Sequence, residues 1–114
     1  MDELRFLKVN SLIKQELSNI IQNEISDPRV NTMVTIQKIK SSKDFSVIKV
    51  YVSLLCDDNE VKLVYKGLKS SEGYVRKLLQ LAIKNIRFGK LLFQIDSTPK
   101  NILDMSKLLD SINN

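Results

Sequence analysis

The sequence predicts an α+β domain in which helices lie against one face of a three-stranded sheet. Apolar residues recur every three or four positions in several stretches, and β-branched or alternating runs separate them. No low-complexity tract, no linker rich in Pro, Gly or Ser and no internal repeat divides the 114 residues. One domain is therefore expected over 1–114, with a core at about 5–96 and an appended amphipathic helix at 98–112. With 43% hydrophobic and 27% charged residues, such a chain can bury a core and fold without disulfide or metal staples.

Phe6, Val9, Ile13, Leu17 and Ile20, flanked by Leu12 and Ile21, make about 4–25 an amphipathic helix. Asp27-Pro28-Arg29 stops it, because proline disfavours helical backbone at the residue before it and has no amide hydrogen. Residues 33–40 and 46–55 read as strands, joined as an antiparallel hairpin through Ser41-Ser42-Lys43-Asp44. In the second strand Ile48, Val50, Val52 and Leu54 share one face, and Lys49, Tyr51 and Ser53 the other, so one side of the sheet should stay open. Asp57-Asp58-Asn59 offers capping side chains to a helix with the stripe Val61, Val64, Tyr65 and Leu68, ending near Lys69. A paired-carboxylate acid–base site is the sharper reading of Asp57 and Asp58, but capping accounts for their position and no other catalytic group is near in sequence.

Ser70-Ser71-Glu72-Gly73 breaks the period, and a second helix follows on Val75, Leu78, Leu79, Ala82 and Ile86, ended by Gly89. Leu91-Leu92-Phe93-Gln94-Ile95-Asp96 reads as a short buried strand. Thr98-Pro99 starts a last helix, whose stripe of Ile102, Met105, Leu109 and Ile112 either docks on the domain, the favoured reading, or meets a partner.

Composition removes several function classes. With no His and one Cys, the chain cannot build an imidazole base, a Ser-His or Cys-His nucleophile pair, or a zinc site of the Cys/His kinds. Apolar runs reach only two or three residues, too short for a membrane span, and Met1-Asp2-Glu3 does not read as a signal peptide. A cytoplasmic, cofactor-free protein is expected, with Cys56 a small residue at a strand end.

Charge is the stronger signal. The net charge is +5, and residues 62–90 hold eight basic side chains against the single acid Glu72. At helical spacing Lys62, Lys66 and Lys69 share one flank of the first helix of this segment. Arg76, Lys77, Lys84 and Arg87, with Gln80, are expected opposite the apolar side of the second, and Tyr74 in the core or on its flank. Lysines kept for solubility would also point outward, but such helices usually interleave Glu with Lys.

Arg5 and Val9, the Asp27-Pro28-Arg29-Val30 turn, Val34-Thr35-Ile36 with Ile39, Ser42 and Asp44-Phe45 follow one another in an order that resembles a known family. The likeness continues through Lys49-Val50-Tyr51-Val52-Ser53, Gly73-Tyr74-Val75-Arg76, and Arg87 before Leu92-Phe93 and Asp96. Over about residues 5–110 the chain resembles the ribosome-binding factor A family, bacterial ribosome-maturation proteins with a type II KH fold. The resemblance implies the order α-β-β-α-kink-α-β. It also implies that Ser71-Glu72-Gly73 stands where the family has a kink usually written Ala-x-Gly, in place of the Gly-x-x-Gly loop of ordinary KH domains. Ser71 departs from the usual Ala, though it can cap the following helix, and Gly73 is expected to be needed for the kink. The stretch from Arg87 to Leu91 is one residue short of the family pattern and lacks its common proline.

The implied function is non-catalytic: binding to the small (30S) ribosomal subunit and its RNA, as a monomer, during late assembly and processing of 16S ribosomal RNA. Ribosomal proteins or an assembly GTPase are further partners that the resemblance suggests. The residues expected to meet RNA are Lys62, Lys66, Lys69, Ser71, Gly73, Arg76, Lys77, Lys84, Arg87 and Lys90. A generic KH-type RNA-binding module is one alternative. A protein-interaction domain using the open sheet face around Tyr51 or the last helix is another.

Overall fold

A computed structural model describes residues 2–25 and 34–96. Helix α1 spans Glu3–Asn23, where Asp2 accepts the Arg5 amide at 2.8 Å and Glu3 sits favourably in the first turn. Ile13, Leu17, Ile20 and Ile21 are its buried face, with Phe6 and Val9 packed at the margin. The turn expected at Asp27-Pro28-Arg29 and the helix expected at 98–112 lie outside the described residues.

Strands β1 (Val34–Ser41) and β2 (Val47–Leu54) pair antiparallel, and β3 (Lys90–Ile95) adds to β2 in parallel, giving the sheet order β1-β2-β3. Between β2 and β3 run helices α2 (Asp58–Ser70) and α3 (Glu72–Ala82). The α-β-β-α-kink-α-β order expected of a type II KH-like domain is thus the order found. The core lies between the helices and the inner sheet face, where Ile48, Val50 and Val52 of β2 and Leu91 and Phe93 of β3 meet Ile13, Leu17, Val64, Leu68, Val75 and Leu79.

Two local irregularities keep that core closed. The register of β1 shifts between Ile36 and Lys38, so that Val34, Ile36 and then Ile39 all turn inward although the last step is three residues and not two. In the hairpin, Phe45 adopts a left-handed φ of 59° with its side chain buried, 5.2 Å from the ring of Phe6 and 6.0 Å, edge on, from that of Phe88. Asp44 supports the turn by accepting hydrogen bonds from the Ser46 amide, the Ser46 hydroxyl and the Ser42 hydroxyl. These bonds, Ser46's first, hold its carboxyl below its ordinary range.

The expected end of α3 needs correction. The helix stops at Ala82, where Ile83 turns extended, and residues 83–89 form a connector. Ile83 and Phe88 are buried and anchor it. Gln80 replaces the bonds a longer helix would have made: its Nε2 donates to the carbonyls of Ile83 (3.0 Å) and Ile86 (2.6 Å), and its Oε1 accepts the Phe88 amide at 2.9 Å. Gly89 does not terminate a helix. It lies against Ser46, whose carbonyl oxygen would be 2.0 Å from an added Cβ, and its amide donates to the Phe45 carbonyl.

Candidate nucleic-acid interface

The candidate interface is built around the kink, which one residue makes. Ser71 is at once the C-cap of α2 and the N-cap of α3. Its amide reaches back to the carbonyls of Gly67 and Leu68, while its own carbonyl accepts the Val75 amide at 2.9 Å. The expected forward cap is absent: the Ser71 hydroxyl donates backward to the Leu68 carbonyl at 2.7 Å. Glu72 is the acid of the kink, and its carboxylate accepts the Phe93 amide at 2.7 Å and pairs with the Lys69 ammonium at 3.1 Å. The Tyr65 hydroxyl donates to the Phe93 carbonyl at 2.9 Å. Phe93 lies on the outer strand of the sheet, so both of its edge groups are satisfied by side chains from the helices beside the kink.

On α2, Lys62, Lys66 and Lys69 stand exposed on one flank, away from the buried Val64 and Leu68. On α3 the exposed side carries Gly73, Tyr74, Lys77 and Leu81. Tyr74 is 51% exposed, so it is not a core residue. Nothing lies within 4 Å of a Cβ built on Gly73, which places the glycine at an open surface and not in a tight bend.

Arg76 and Gln80 do not face outward with Lys77. Glu72, Arg76 and Gln80 recur at i, i+4 and i+8 and form a polar stripe turned onto the connector and β3, where the Arg76 guanidinium donates to the Phe88 carbonyl at 3.1 Å. Lys84 and Arg87 stand exposed on the connector that this stripe holds, not on a helix face. Lys90 opens β3 and points to the side of the sheet away from the described helices, so it is separate from the helix surface. Among the described residues, Lys62, Lys66, Lys77, Lys84, Arg87 and Lys90 make no ion pair, and Lys69 alone of the ten expected contacts is so paired.

The catalytic alternatives find no site among the described residues. Asp57 caps α2 through its carbonyl, which accepts the amides of Glu60 and Val61, and its side chain makes no cap bond. Cys56 is half-buried after β2. Burial, and then the carboxylates of Glu60, Asp57 and Asp58, push its thiol pKa up, the opposite of what a nucleophile needs. No group of three or more His, Cys, Asp or Glu gathers as a metal site among these residues, and none of their helices is long and apolar enough to cross a membrane.

Three comparisons bear on this geometry. Residues 5–109 match the family described as Ribosome-binding factor A. A protein of that name from Clostridium botulinum (strain Eklund 17B / Type B) is 36% identical over 114 residues, covering 98% of this chain and 97% of the relative. The crystal structure of ribosome-binding factor A from Thermus thermophilus superposes with a TM-score of 0.66 at 25% identity, over 78% of this chain and 92% of that one. Similar, at a TM-score of 0.61 and 25% identity over 76% and 90% of the two chains, are coordinates of the Thermus thermophilus factor fitted into a cryo-electron microscopy map of its 30S complex.

Proposed function

The chain belongs to the ribosome-binding factor A family, and on that premise we propose that it binds the small ribosomal subunit and assists late assembly and processing of 16S ribosomal RNA without catalysing a reaction. The observation that carries this reading is the set of exposed, unpaired cations on the two helices that meet at the kink and on the connector that follows them. Lys62 and Lys66 on α2, Lys77 on α3, and Lys84 and Arg87 on the connector are exposed and without acidic partners among the described residues. Such cations displace counterions from an RNA backbone, and they fix register and do not read bases.

Gly73 contributes by its bareness. It leaves the start of α3 open, so a phosphate can come close to that helix end, where the dipole favours it. Ser71 sets the angle between the two helices. Lys69 neutralises Glu72, which removes the one carboxylate that would repel a phosphate there. Arg76 is spoken for by the Phe88 carbonyl and acts mainly by holding the connector in place. Specificity then comes from RNA shape, since Tyr74 is the one exposed aromatic residue on these helices.

In this reading residues 1–114 act as one cytoplasmic, monomeric KH-like domain, which engages the subunit before translation and then leaves it. Cells depleted of the protein should accumulate free small subunits and 16S precursor RNA with unprocessed ends. A normal ribosome profile with fully processed 16S RNA overturns the maturation role.

A further inference from the structure

The face of the sheet that none of the described helices covers carries a second basic surface that those helices do not explain. The register places Lys40 of β1 opposite Lys49, which has Leu92 of β3 on its other side, and Lys38 opposite Tyr51, which has Gln94 on its other side, with Lys90 beside Val47. These positions all point away from the core, and Lys38, Lys40, Lys49 and Lys90 are exposed. No carboxylate occupies an outward position on any of the three strands. Of the nearest acids along the chain, Asp44 is engaged by Ser42 and Ser46 in the hairpin turn, and Asp96 lies just past the end of β3.

Two details point to an anionic ligand. Like charges directly across a strand pair destabilise a sheet, yet Lys40 and Lys49 form such a pair with no acid between them. Outward positions are spaced about 5 Å across strands and about 7 Å along them, so four ammonium groups gather within reach of one backbone. At one end of this row, beside Lys38 and Lys49, Tyr51 presents a ring, with the Lys38 ammonium 4.9 Å from its centroid. A single flat ring among lysines suits a stacked base flanked by phosphates.

We propose that this sheet face is a second RNA-binding surface, which takes a single-stranded segment along Lys38, Lys40, Lys49 and Lys90 with one base on Tyr51. The inference rests on the ribosomal-RNA reading above and adds to it a second strand, held on the side of the domain away from the core helices. Bound phosphate would offset the Lys40–Lys49 repulsion, and the Lys38 ammonium would exchange the Tyr51 ring for an anion.

The test uses the full chain and a fluorescein-labelled single-stranded RNA of twelve mixed-sequence nucleotides, read by anisotropy over a range of salt. Lys38→Gln/Lys40→Gln/Lys49→Gln should weaken binding at least ~10-fold at low salt and flatten the slope of log affinity against log salt by about 2, close to 0.7 for each charge removed. Its thermal midpoint should equal or exceed that of the parent, because a repulsive pair is gone. Tyr51→Ala should weaken binding while Tyr51→Phe retains it. Parental affinity and slope in the triple variant overturn the proposal, as does preferential binding of an acidic peptide over the RNA. Parallel sedimentation with isolated small subunits separates the two claims: binding by the parent with no loss in the sheet variant sinks the second surface alone, whereas no binding by the parent sinks the ribosomal reading and leaves the oligonucleotide to decide the sheet.

Discussion

The Glu72 carboxylate, at the first residue of α3, accepts the amide of Phe93 in the outer strand at 2.7 Å. This bond ties the kink to the sheet edge, and Tyr65 completes it by donating to the carbonyl of the same residue. A hydrogen bond to a charged group contributes about 1.5–3 kcal/mol, and removing one partner leaves the other unsatisfied. Glu72→Ala should therefore lower stability by about 2 kcal/mol in urea unfolding, and Glu72→Gln, which keeps an acceptor, by less. Equal losses for the two variants would show that the acceptor does not matter.

The two glycines near the interface should respond in opposite ways. An added methyl at Gly89 meets the Ser46 backbone at 2.0 Å, so Gly89→Ala should cost about 3 kcal/mol or more, or abolish folding. Gly73 lies inside a helix with open space around it, so Gly73→Ala should raise stability by up to about 1 kcal/mol. Thermal unfolding of the two variants checks both signs. If Gly73→Ala keeps its fold but binds small subunits less well, the glycine serves the partner and not the kink.

The Asp44 carboxylate is favoured in its ionised form by the Ser46 and Ser42 hydrogen bonds, so its native pKa lies below its unfolded one. Its contribution to stability is full above the ordinary carboxylate range and fades as pH falls through the depressed native value. The stability gap between the parent and Asp44→Asn should therefore be present at neutral pH and shrink on acidification. Urea midpoints at the two ends of that range measure it, and a gap independent of pH contradicts the assignment.

Lys62→Glu/Lys66→Glu should leave the fold intact, because both side chains are exposed and, unlike Lys69, make no ion pair among the described residues. Binding to small subunits should fall by at least ~10-fold at moderate salt, since each lost phosphate contact removes part of the counterion release. Titration of labelled protein with isolated subunits reads this directly. Unchanged binding would remove the α2 flank from the interface.

Where periodicity decides burial, the fold is legible in the sequence. Ile13, Leu17 and Ile20 on α1, and Ile48, Val50 and Val52 on β2, are buried as their spacing implies, and the helix break falls at Ser71 within the stretch that interrupts the pattern. What the pattern cannot tell is which polar face another segment covers. Arg76 and Gln80 look like outward residues on a helical wheel, yet a connector folds over them and uses them for its hydrogen bonds. For the same reason the spacing overshoots the end of α3: Ile86 continues the helical period, but Gln80 holds its carbonyl in a turn. The register shift at Gln37 leaves one trace, the odd step from Ile36 to Ile39. It is that shift which carries Lys38 and Lys40 to the side of the sheet where Lys49 and Tyr51 are expected.

The most direct test of the central claim is co-sedimentation of the purified protein with isolated small subunits, isolated large subunits and a free RNA oligonucleotide at two salt concentrations. Selective pelleting with small subunits, weaker at the higher salt, is the predicted result. Equal affinity for free RNA and for either subunit, or no binding at the lower salt, would contradict it.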